Sequence, residues 1–536
     1  MSKKKPPRRV ATIDCETDPF KFRRVPKPFL WVIFDGERYY DFTAVSDAIH
    51  FLKDKRWVVY AHNGGKFDYH MPGFLAEMEA GSKLMIINGR IARFEIGECE
   101  FRDSCNILPI ALKDYAKDKI DYENFEKGKR EKFMPQILEY CKADCRYLWE
   151  LVTAFRDKYG DGLTLAGSAM KVWEHQFHQD IPQSSAGFYG RLSQFYYGGR
   201  VECFRTGIIE EPFNLFDINS AYPYAMMHEH PISTEFSVVD CGTGAEIIPQ
   251  SFYVVDGKPL GCFPSRAKNG LEFKKGEMGR YFVTGWELLA ARETDSLKNW
   301  NIYARYDFAE TTNFRRYVEH FYEIKKNSEK QSPDYLMSKL LMNGLYGKYG
   351  ADPDNYANYE IEDKRFIDAA RQEGKEFAGE LGPWAVLKSE LLEEQKRYYN
   401  VATAASITGF VRAYLWRHIK AIEKEGGRVL YCDTDSIACT GKAPKSMKIG
   451  KDLGEWGNDG NFEFGAIAGK KLYAFKKKDG TWKTGCKGVR ISPEEIVRVA
   501  KGEDVTYQRE APSFGIRKGK IEGPRFVTRI VRKTGK

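Results

Sequence analysis

Acidic residues stand at the ends of several β-rich segments in this chain of 536 residues. The clearest case is the run Tyr431-Cys432-Asp433-Thr434-Asp435-Ser436, whose flanking segments 428–432 and 436–440 predict a hairpin with two carboxylates at its tip. Carboxylates that converge without partners repel one another, so such a site needs cations. Oxygen ligands of this kind select Mg²⁺ or Mn²⁺ over Zn²⁺.

A first acidic cluster is predicted from three separated elements near the N-terminus. Period-two alternation puts two acids on one face of strand 10–16, a third follows the glycine turn after strand 57–63, and a fourth lies on helix 135–155. These residues are Asp14, Glu16, Asp68 and Asp144. Two cations about 4 Å apart would activate a water and stabilise the leaving oxygen of a phosphodiester. Tyr140, one helical turn before Asp144, is placed to orient that water.

A second acidic cluster is predicted from Asp217, on another alternating strand, together with Asp433 and Asp435. Positioning and charge neutralisation dominate nucleotidyl transfer. One metal ion at these acids would activate a primer hydroxyl while the other holds a triphosphate. The two clusters therefore predict two separate sites of phosphate chemistry.

A helical pair is predicted at 311–349, broken near Ser332-Pro333. On its second helix Lys339, Asn343 and Tyr346 follow i, i+4, i+7 spacing, so they share a face that could present an ammonium to phosphate and an amide and a ring to a nucleotide. The alternative is an ordinary amphipathic helix with incidental polar residues. Its apolar face is already supplied by Leu340, Leu341 and Leu345.

Basic residues are concentrated in three segments of this chain, whose net charge is +9. Residues 1–10 carry five basic and no acidic side chains, and residues 470–490 and 517–536 each carry eight basic and one acidic. A basic C-terminal surface suits a phosphate-backbone partner, because neutralised phosphates release counterions. For a single tail, solubility alone is the alternative.

Composition excludes several other classes. The chain is 42% hydrophobic and 30% charged, which is typical of soluble globular proteins. Its longest clear apolar run, Phe29–Phe34, is far shorter than the roughly 18 to 20 residues of a membrane helix. No apolar stretch follows the basic N-terminus, as a signal peptide requires. The eleven cysteines are irregularly spaced, which favours reduced thiols in a cytosolic setting over disulfides or zinc.

The first cluster resembles the three exonuclease motifs of proofreading DNA polymerases. The motifs stand here as Asp14-Cys15-Glu16-Thr17, Asn63-Gly64-Gly65-Lys66-Phe67-Asp68 and Tyr140-Cys141-Lys142-Ala143-Asp144. The resemblance implies 3′–5′ exonuclease activity and several further roles. These are Thr17, Asn63 and Phe67 for the single-stranded 3′ end, with Phe67 stacking on a base; Ser104 and Tyr122 for DNA contact; and Lys117 for hydrolysis.

The second cluster resembles family B DNA polymerases. Phe216-Asp217-Ile218-Asn219-Ser220-Ala221-Tyr222-Pro223 is similar to the first palm motif and Lys339–Gly347 to the fingers motif, with Gly344 where the family usually has Ser. Tyr431–Ser436 matches the YxDTDS palm motif in full. The resemblance implies that Tyr222 excludes ribonucleotides. It further implies nucleotide binding by Ser220, Ala221, Tyr222, Lys325, Lys339, Asn343 and Tyr346, and metal binding by Asp217, Ile218, Asp433 and Asp435.

Three shorter motifs extend the resemblance. Tyr196-Tyr197-Gly198-Gly199 is similar to the YxGG motif, whose glycines allow close approach to a template, and Thr408–Arg412 to a TxxxR motif. Lys471-Leu472-Tyr473 resembles the KxY motif that grips the primer, and it lies within the basic segment 470–490. The resemblance implies DNA contacts by Tyr196, Gly198, Gly199, Arg412, Lys471 and Tyr473.

Length and motif order resemble the protein-primed branch of family B, encoded by small bacteriophages with linear genomes. This implies an α+β chain in which an RNase H-like exonuclease domain precedes a right-hand polymerase of palm, fingers and thumb. The implied division is exonuclease 1–158, palm 159–232 and 401–485, a terminal-protein docking insertion 233–310, fingers 311–349, a second insertion 350–400 and thumb 486–536. In the second insertion, where the branch has a hairpin, Phe366–Lys375 predicts a helix.

The predicted function is template-directed DNA synthesis with 3′–5′ proofreading, using two Mg²⁺ or Mn²⁺ ions at each site. The expected partners are template and primer DNA, deoxynucleoside triphosphates, a terminal protein primer and a single-strand-binding protein, in the cytoplasm of a host cell and without a membrane. One alternative is a family B polymerase that extends ordinary nucleic-acid primers, against which only the insertion argues. Another is a single-strand-binding factor without catalysis, which the presence of all seven acids disfavours.

Overall fold

The structure is a computed structural model that describes residues 8–21, 23–177, 182–242, 244–268, 270–517 and 519–534. Within these ranges it contains eleven α-helices and 31 β-strands. None of the helices in the described ranges is long and apolar enough to cross a membrane. Seven residues of the basic segment 1–10 lie outside the described part of the chain.

The N-terminal region is a sheet covered by one long helix. Its elements are β1 (Arg9–Thr17), β2 (Pro28–Phe34), β3 (Tyr39–Phe42), α1 (Val45–Lys53), β4 (Trp57–Ala61), β5 (Lys83–Ile87), β6 (Arg90–Ile96), β7 (Cys99–Asp103) and α2 (Arg130–Tyr159). β1 pairs in parallel with β4, and β4 in parallel with β7. The buried face of α2 packs on β1 and β2, which brings residues 140–144 over the acids of β1. The predicted strand 10–16 and helix 135–155 are both confirmed, with longer bounds.

The next region contains short helices and a four-stranded antiparallel sheet. Its elements are α3 (Leu165–Gln176), α4 (Ala186–Leu192), β8 (Val201–Cys203), β9 (Gly207–Ile209), β10 (Phe213–Ile218), α5 (Ala221–Met226), β11 (His230–Pro231), β12 (Phe236–Val239), β13 (Phe252–Pro259), β14 (Ser265–Ala267), β15 (Gly270–Glu272), β16 (Gly279–Thr284), α6 (Gly285–Glu293), β17 (Leu297–Phe308) and β18 (Thr311–Thr312). The sheet has the order β12-β17-β13-β16. It therefore forms the body of the segment 233–310.

A helical pair follows, as predicted for 311–349, formed by α7 (Arg315–Asn327) and α8 (Pro333–Tyr349). The Ser332 side chain accepts a hydrogen bond from the N–H of Tyr335, and Pro333 occupies the first helical position, so the break has a defined cap. Leu341 and Leu345 are buried, whereas Lys339 and Asn343 are exposed. The polar face of α8 is therefore free for a ligand.

The segment 350–400 differs from the prediction. It contains β19 (Ala357–Glu362), α9 (Ile367–Gln372), β20 (Glu376–Leu381) and β21 (Trp384–Glu390). The helix within 366–375 is confirmed, but the expectation that it replaces a hairpin is wrong, because β20 and β21 form a hairpin around Gly382. Gly382 has a φ of 59°, and Gly382-Pro383 is a turn signal that marks this reversal. β19 also pairs with β5, so these strands extend the N-terminal sheet to ten in the order β20-β21-β19-β5-β6-β7-β4-β1-β2-β3.

The C-terminal part completes a second sheet. Its elements are α10 (Val401–Lys424), β22 (Val429–Asp433), β23 (Ser436–Cys439), β24 (Trp456–Phe462), β25 (Phe464–Gly469), β26 (Leu472–Lys476), β27 (Trp482–Cys486), α11 (Pro493–Lys501), β28 (Val505–Gln508), β29 (Ser513–Arg517), β30 (Lys520–Arg525) and β31 (Thr528–Val531). The order β24-β10-β23-β22-β8 places β10 beside the predicted β22–β23 hairpin. The β29–β30 hairpin packs Phe514, Ile516 and Ile521 into the N-terminal core.

Candidate active sites

The four acids of the first cluster meet at one end of β1. A carboxylate oxygen of Asp14 lies within 4.8 Å of one of Glu16. Asp68 and Asp144 are close enough to influence the ionisation of both. Burial, together with the neighbouring carboxylates, holds the pKa values of Asp14 and Glu16 well above their usual range, and burial raises the pKa of Asp68 to about 7. The fold therefore concentrates negative charge that a bound cation would neutralise.

Two carboxylate oxygens of this cluster are orphaned. Within the described residues, Glu16 Oε1 and Asp144 Oδ1 are buried and have no hydrogen-bond partner. An unpaired buried carboxylate oxygen is costly, and hard oxygen donors are what Mg²⁺ and Mn²⁺ prefer. The residues present therefore fit a hard divalent cation.

Neighbouring side chains hold this cluster in place. Lys117 Nζ donates to Asp144 Oδ2 at 2.8 Å, and this hydrogen bond and the negative charge outweigh the desolvation that opposes them, so the pKa of Lys117 is raised. The hydroxyls of Tyr122 and Tyr140 lie 2.9 Å apart, which fixes the Tyr140 ring one helical turn from Asp144. Lys117, Tyr122 and Tyr140 are thus all brought close to the acids of this cluster.

Two thiols that the sequence pattern did not single out also contact the cluster. Cys15 Sγ donates to Asp68 Oδ1 at 3.2 Å, and Cys141 Sγ donates to Asp14 Oδ2 at 3.6 Å. Both cysteines are buried, and each lies within one of the motifs that carry the acids. Their position inside those motifs is the sequence feature that could have indicated that these thiols lie at the cluster.

The predicted contacts with a single strand divide into two groups. Thr17, Asn63 and Phe67 are partly exposed near the acids, and Tyr122 is 54% exposed. Ser104 is different, because its side chain is fully buried and its hydroxyl lies 3.2 Å from the Ala61 carbonyl and 2.9 Å from His62 Nδ1. The Ser104 side chain thus has no exposed surface in this structure, and the DNA contact implied for it stays a prediction.

The acids of the second cluster meet where β10 lies beside the β22–β23 hairpin. Asp217 is opposite Ser436, and the N–H of Ile218 donates to the Asp435 carbonyl at 2.8 Å. Burial first, and then the neighbouring carboxylates, raise the pKa of Asp217 to about 7 and that of Asp435 to about 6. Asp433 is bound by Lys471, and it also accepts from Thr434 Oγ1 at 3.1 Å. The donors here are again hard oxygens that suit Mg²⁺ or Mn²⁺.

Two tyrosine rings lie beside these acids. Tyr222 on α5 and Tyr346 on α8 stack with 4.5 Å between centroids and 7° between planes. Ser220 precedes α5 with a φ of 51°, and the Ala221 side chain is buried, so a nucleotide contact at Ala221 falls to its backbone. Together they form an aromatic wall next to the carboxylates.

Two lysines of the helical pair, Lys325 on α7 and Lys339 on α8, lie close enough to influence each other's charge. Partial burial, with Lys339 as a neighbouring positive charge, lowers the pKa of Lys325. Asn343 Nδ2 donates to the Lys339 carbonyl at 2.7 Å. Gly344, on the same helix, approaches α3, and an added Cβ would lie 3.2 Å from Leu165 Cγ. Close packing of α8 on α3 is therefore the local reason that a small residue fits at 344.

The residues predicted to bind the template and primer also differ in their exposure to solvent. Gly198 is exposed and Gly199 partly exposed, and Tyr196 and Tyr473 are partly exposed. Arg412 is only 2% exposed, donates to Glu287 Oε1 at 2.7 Å and also to the carbonyls of Tyr197 and Gly198. The Arg412 guanidinium is therefore enclosed by protein in this structure, and the DNA contact implied for it stays a prediction.

A basic cleft of about 320 Å³ lies in the C-terminal region. Four of its lining residues are Arg490, Arg509, Arg517 and Arg529. They come from β29, β31 and the loops flanking α11 and β28, so the cleft exists only after these elements pack together. Its charge suits a phosphate backbone.

Comparison with known proteins assigns the family. Residues 115–440 match the sequence model of DNA polymerase type B, organellar and viral. The DNA-directed DNA polymerase of Enterobacteria phage PRD1 is 35% identical over an alignment of 575 positions, which covers 99% of this chain and 99% of that one. The DNA polymerase of Bacillus phage phi29 is 26% identical over 405 residues, covering 69% of this chain and 66% of that one.

The fold has a solved counterpart. Phi29 DNA polymerase complexed with primer-template DNA and incoming nucleotide substrates superposes with a TM-score of 0.76 at 20% identity, covering 99% of this chain and 100% of that one. This confirms the class predicted from the sequence, an α+β chain with an RNase H-like exonuclease domain and a right-hand polymerase. The chain belongs to the organellar and viral type B DNA polymerases, in the protein-primed phage branch. It is a DNA-directed DNA polymerase.

Proposed function

We propose that this DNA polymerase joins two-metal nucleotidyl transfer to 3′–5′ proofreading and begins synthesis on a protein primer. The observation that carries the proposal is the presence of two carboxylate clusters, one on each major sheet, in which burial and mutual repulsion raise the pKa values of the acids. Such clusters cost stability unless a ligand uses them.

In nucleotidyl transfer, Asp217 and Asp435 would hold two Mg²⁺ or Mn²⁺ ions, with the Ile218 carbonyl as a further oxygen donor. When bound, the ions supply charge neutralisation and a lowered pKa for the primer hydroxyl. Asp433 stays anchored to Lys471 and keeps the hairpin tip in place.

The incoming deoxynucleotide would sit between the acids and the helical pair. Lys339 and Lys325 would bind the triphosphate, with Asn343 beside them, and the stacked rings of Tyr222 and Tyr346 would face the sugar and base. A ring close to the 2′ position leaves no room for a hydroxyl. Tyr222 is accordingly the residue that would exclude ribonucleotides.

In proofreading, Asp14, Glu16, Asp68 and Asp144 would hold the ions that supply an activated water. Lys117 keeps Asp144 oriented, and the Tyr140 hydroxyl, held by Tyr122, would orient the attacking water. Phe67 would stack on a base of the frayed 3′ end, with Thr17 and Asn63 beside it.

Template and primer would run over basic and glycine-rich surfaces. The exposed Gly198 and the neighbouring Gly199 and Tyr196 would lie against the template, while Lys471, Tyr473 and the arginine cleft would bind the primer strand and the product duplex. Phosphate neutralisation would dominate this affinity.

A terminal protein would provide the first primer hydroxyl, docking on the segment 233–310. The four-stranded sheet of that segment supports this, because Val238 and Tyr303 on β12 and β17 are more than half exposed. We further propose that replication takes place in the cytoplasm of the host cell, with a single-strand-binding protein covering displaced strands. An enzyme that extends ordinary nucleic-acid primers would start equally well without a terminal protein.

Primer extension tests the two sites together. A labelled primer on a single-stranded template should lengthen with Mg²⁺ and all four deoxynucleotides and shorten without nucleotides. Asp435→Asn should abolish only lengthening and Asp14→Asn only shortening. Loss of both activities in either variant would contradict the two-site assignment, and neither activity in the wild type would favour a binding factor.

A further inference from the structure

A buried ion pair connects the segment 233–310 with the palm. Glu287 on α6 and Arg412 on α10 are each 2% exposed, and Arg412 Nε donates to Glu287 Oε1 at 2.7 Å. Glu287 Oε2 accepts from the N–H of Thr284 at 3.0 Å and from its hydroxyl at 2.9 Å, which caps α6 and fixes the carboxylate. Desolvation offsets much of the attraction within a buried ion pair. Stabilisation of the fold is therefore a weak explanation for this pair by itself.

The same guanidinium holds the loop 196–199. Arg412 Nη1 donates to the carbonyl of Tyr197 at 2.7 Å and to that of Gly198 at 2.9 Å. Glu287 thus orients Arg412, and Arg412 fixes two consecutive carbonyls of the loop. The loop cannot move relative to α6 and α10 without breaking these bonds.

The next residue of the loop, Gly199, lies against both the acidic hairpin tip and the Tyr222 ring. A Cβ on Gly199 would lie 2.7 Å from Thr434 Cγ2 and 2.9 Å from Tyr222 Oη, and the following carbonyl, of Arg200, accepts from the N–H of Thr434 at 2.6 Å. Thr434 separates the two hairpin acids and has a φ of 63°. A β-branched residue adopts that conformation only when its surroundings impose it.

We propose that the Glu287–Arg412 pair is a positioning device that holds the acidic hairpin tip and the Tyr222 ring in register for deoxynucleotide transfer. It follows that the segment 233–310 supports the polymerase chemistry in addition to any partner it docks. This inference rests on the roles proposed above for Asp435 and Tyr222. Neither Glu287 nor Arg412 touches the reacting groups.

The test replaces the pair without leaving a buried charge. In the double variant Glu287→Leu, Arg412→Met, apolar side chains of similar size remove both charges, which preserves stability in comparable cases. The variant cannot donate to the carbonyls of Tyr197 and Gly198. A matched control is Glu293→Gln, Arg417→Met, which removes an exposed ion pair between the same two helices.

Four quantities are measured for each variant: the thermal midpoint, kcat and KM for single-nucleotide incorporation, the preference for deoxynucleotides over ribonucleotides, and exonuclease activity on single-stranded DNA. For the double variant we expect kcat to fall by about 10- to 100-fold, as misplacement of reacting groups does, with weakened sugar discrimination. The thermal midpoint and exonuclease activity should stay near those of the wild type, and the control should match the wild type throughout.

Wild-type kcat and sugar discrimination in a stable double variant would overturn the proposal and leave the pair merely structural. If the double variant does not fold, Arg412→Lys decides, since it keeps the charge but loses the forked geometry. An unchanged kcat in that variant would then overturn the proposal. Incorporation that survives Asp435→Asn would instead refute the assignment of the polymerase site on which the proposal rests.

Discussion

Lys471 forms an ion pair with Asp433, the first acid of the polymerase hairpin. The N–H of Lys471 also donates to Tyr431 Oη at 2.9 Å. Lys471 therefore contacts both Tyr431 and Asp433 at the end of β22. The charge of Asp433 is thereby balanced by a protein side chain. Burial and the neighbouring carboxylates raise the pKa values of Asp217 and Asp435. The three acids are therefore not equivalent, because among them only Asp433 forms an ion pair within the described residues.

Replacing Lys471 tests this asymmetry. In Lys471→Met the Asp433 carboxylate loses its counter-charge beside Asp435, and we expect nucleotide incorporation to fall by about 10- to 100-fold through misplacement of the tip. Exonuclease activity should not change. Lys470→Met is the control, because among the residues that the structure describes Lys470 donates to the Leu271 carbonyl and to no carboxylate. Equal losses in the two variants would indicate a general effect of charge instead.

The Mg²⁺ requirement of polymerisation should depend on pH. The pKa values of about 7 and 6 at Asp217 and Asp435 mean that protons compete with cations below neutrality. The Mg²⁺ concentration for half-maximal incorporation should rise as pH falls from 8 to 6, by up to about tenfold per unit for each proton displaced. Titrations at three pH values measure this, and a constant midpoint would contradict it.

Asp217→Asn should stabilise the metal-free protein at pH 8. The folded pKa of Asp217 lies above its ordinary value, so its ionised form is disfavoured in the fold, and stability is lost as pH rises from about 4 through 7. In EDTA we expect a thermal midpoint about 2 °C or more above that of the wild type at pH 8, with the difference vanishing near pH 4. A lower midpoint at pH 8 would contradict the repulsion described for this cluster.

Removing one hydroxyl should weaken proofreading. Tyr122→Phe leaves the Tyr140 hydroxyl without its 2.9 Å partner, so the attacking water is less well oriented. Exonuclease turnover should fall by about tenfold, which is less than the roughly 100-fold or more of a lost general acid or base, because the Tyr140 hydroxyl itself remains. Incorporation should be retained. Tyr147→Phe is a matched control, since it removes the hydroxyl that donates to Asp118. Identical rates in the two variants would argue against this role.

The arginine cleft should set the salt dependence of DNA binding. Each phosphate contact contributes about 0.9 to the slope of log affinity against log salt, so Arg509→Ala, Arg517→Ala should reduce that slope by about 2. Binding of a labelled primer-template at several salt concentrations measures it. Arg365→Ala, at a highly exposed residue outside the cleft, should leave the slope unchanged. A slope unaffected by the double change would remove the cleft from the interface.

Local sequence patterns were sufficient to predict which neighbouring carboxylates point to the same side of an element. Asp14 and Glu16 share a strand face, Tyr140 and Asp144 share a helix face, and Asp433 and Asp435 flank a hairpin tip. Strand alternation and helical periodicity act within one element, so spacing alone predicts which side chains point together. The β20–β21 hairpin was missed, because helix-forming residues just before it dominated the local pattern.

Long-range packing decided everything that depends on burial. Ser104 and Arg412 have the residue types of DNA contacts, yet neighbouring segments enclose both, and the partner of Arg412 is 125 residues away along the chain. The arginine cleft and the approach of Gly199 to Thr434 likewise join elements that are distant in sequence. The sequence determined which groups can bind metal, phosphate and nucleotide, because that chemistry belongs to the side chain. Only the tertiary structure decided which of them reach solvent and which hold others in place, because exposure is a property of the surrounding segments.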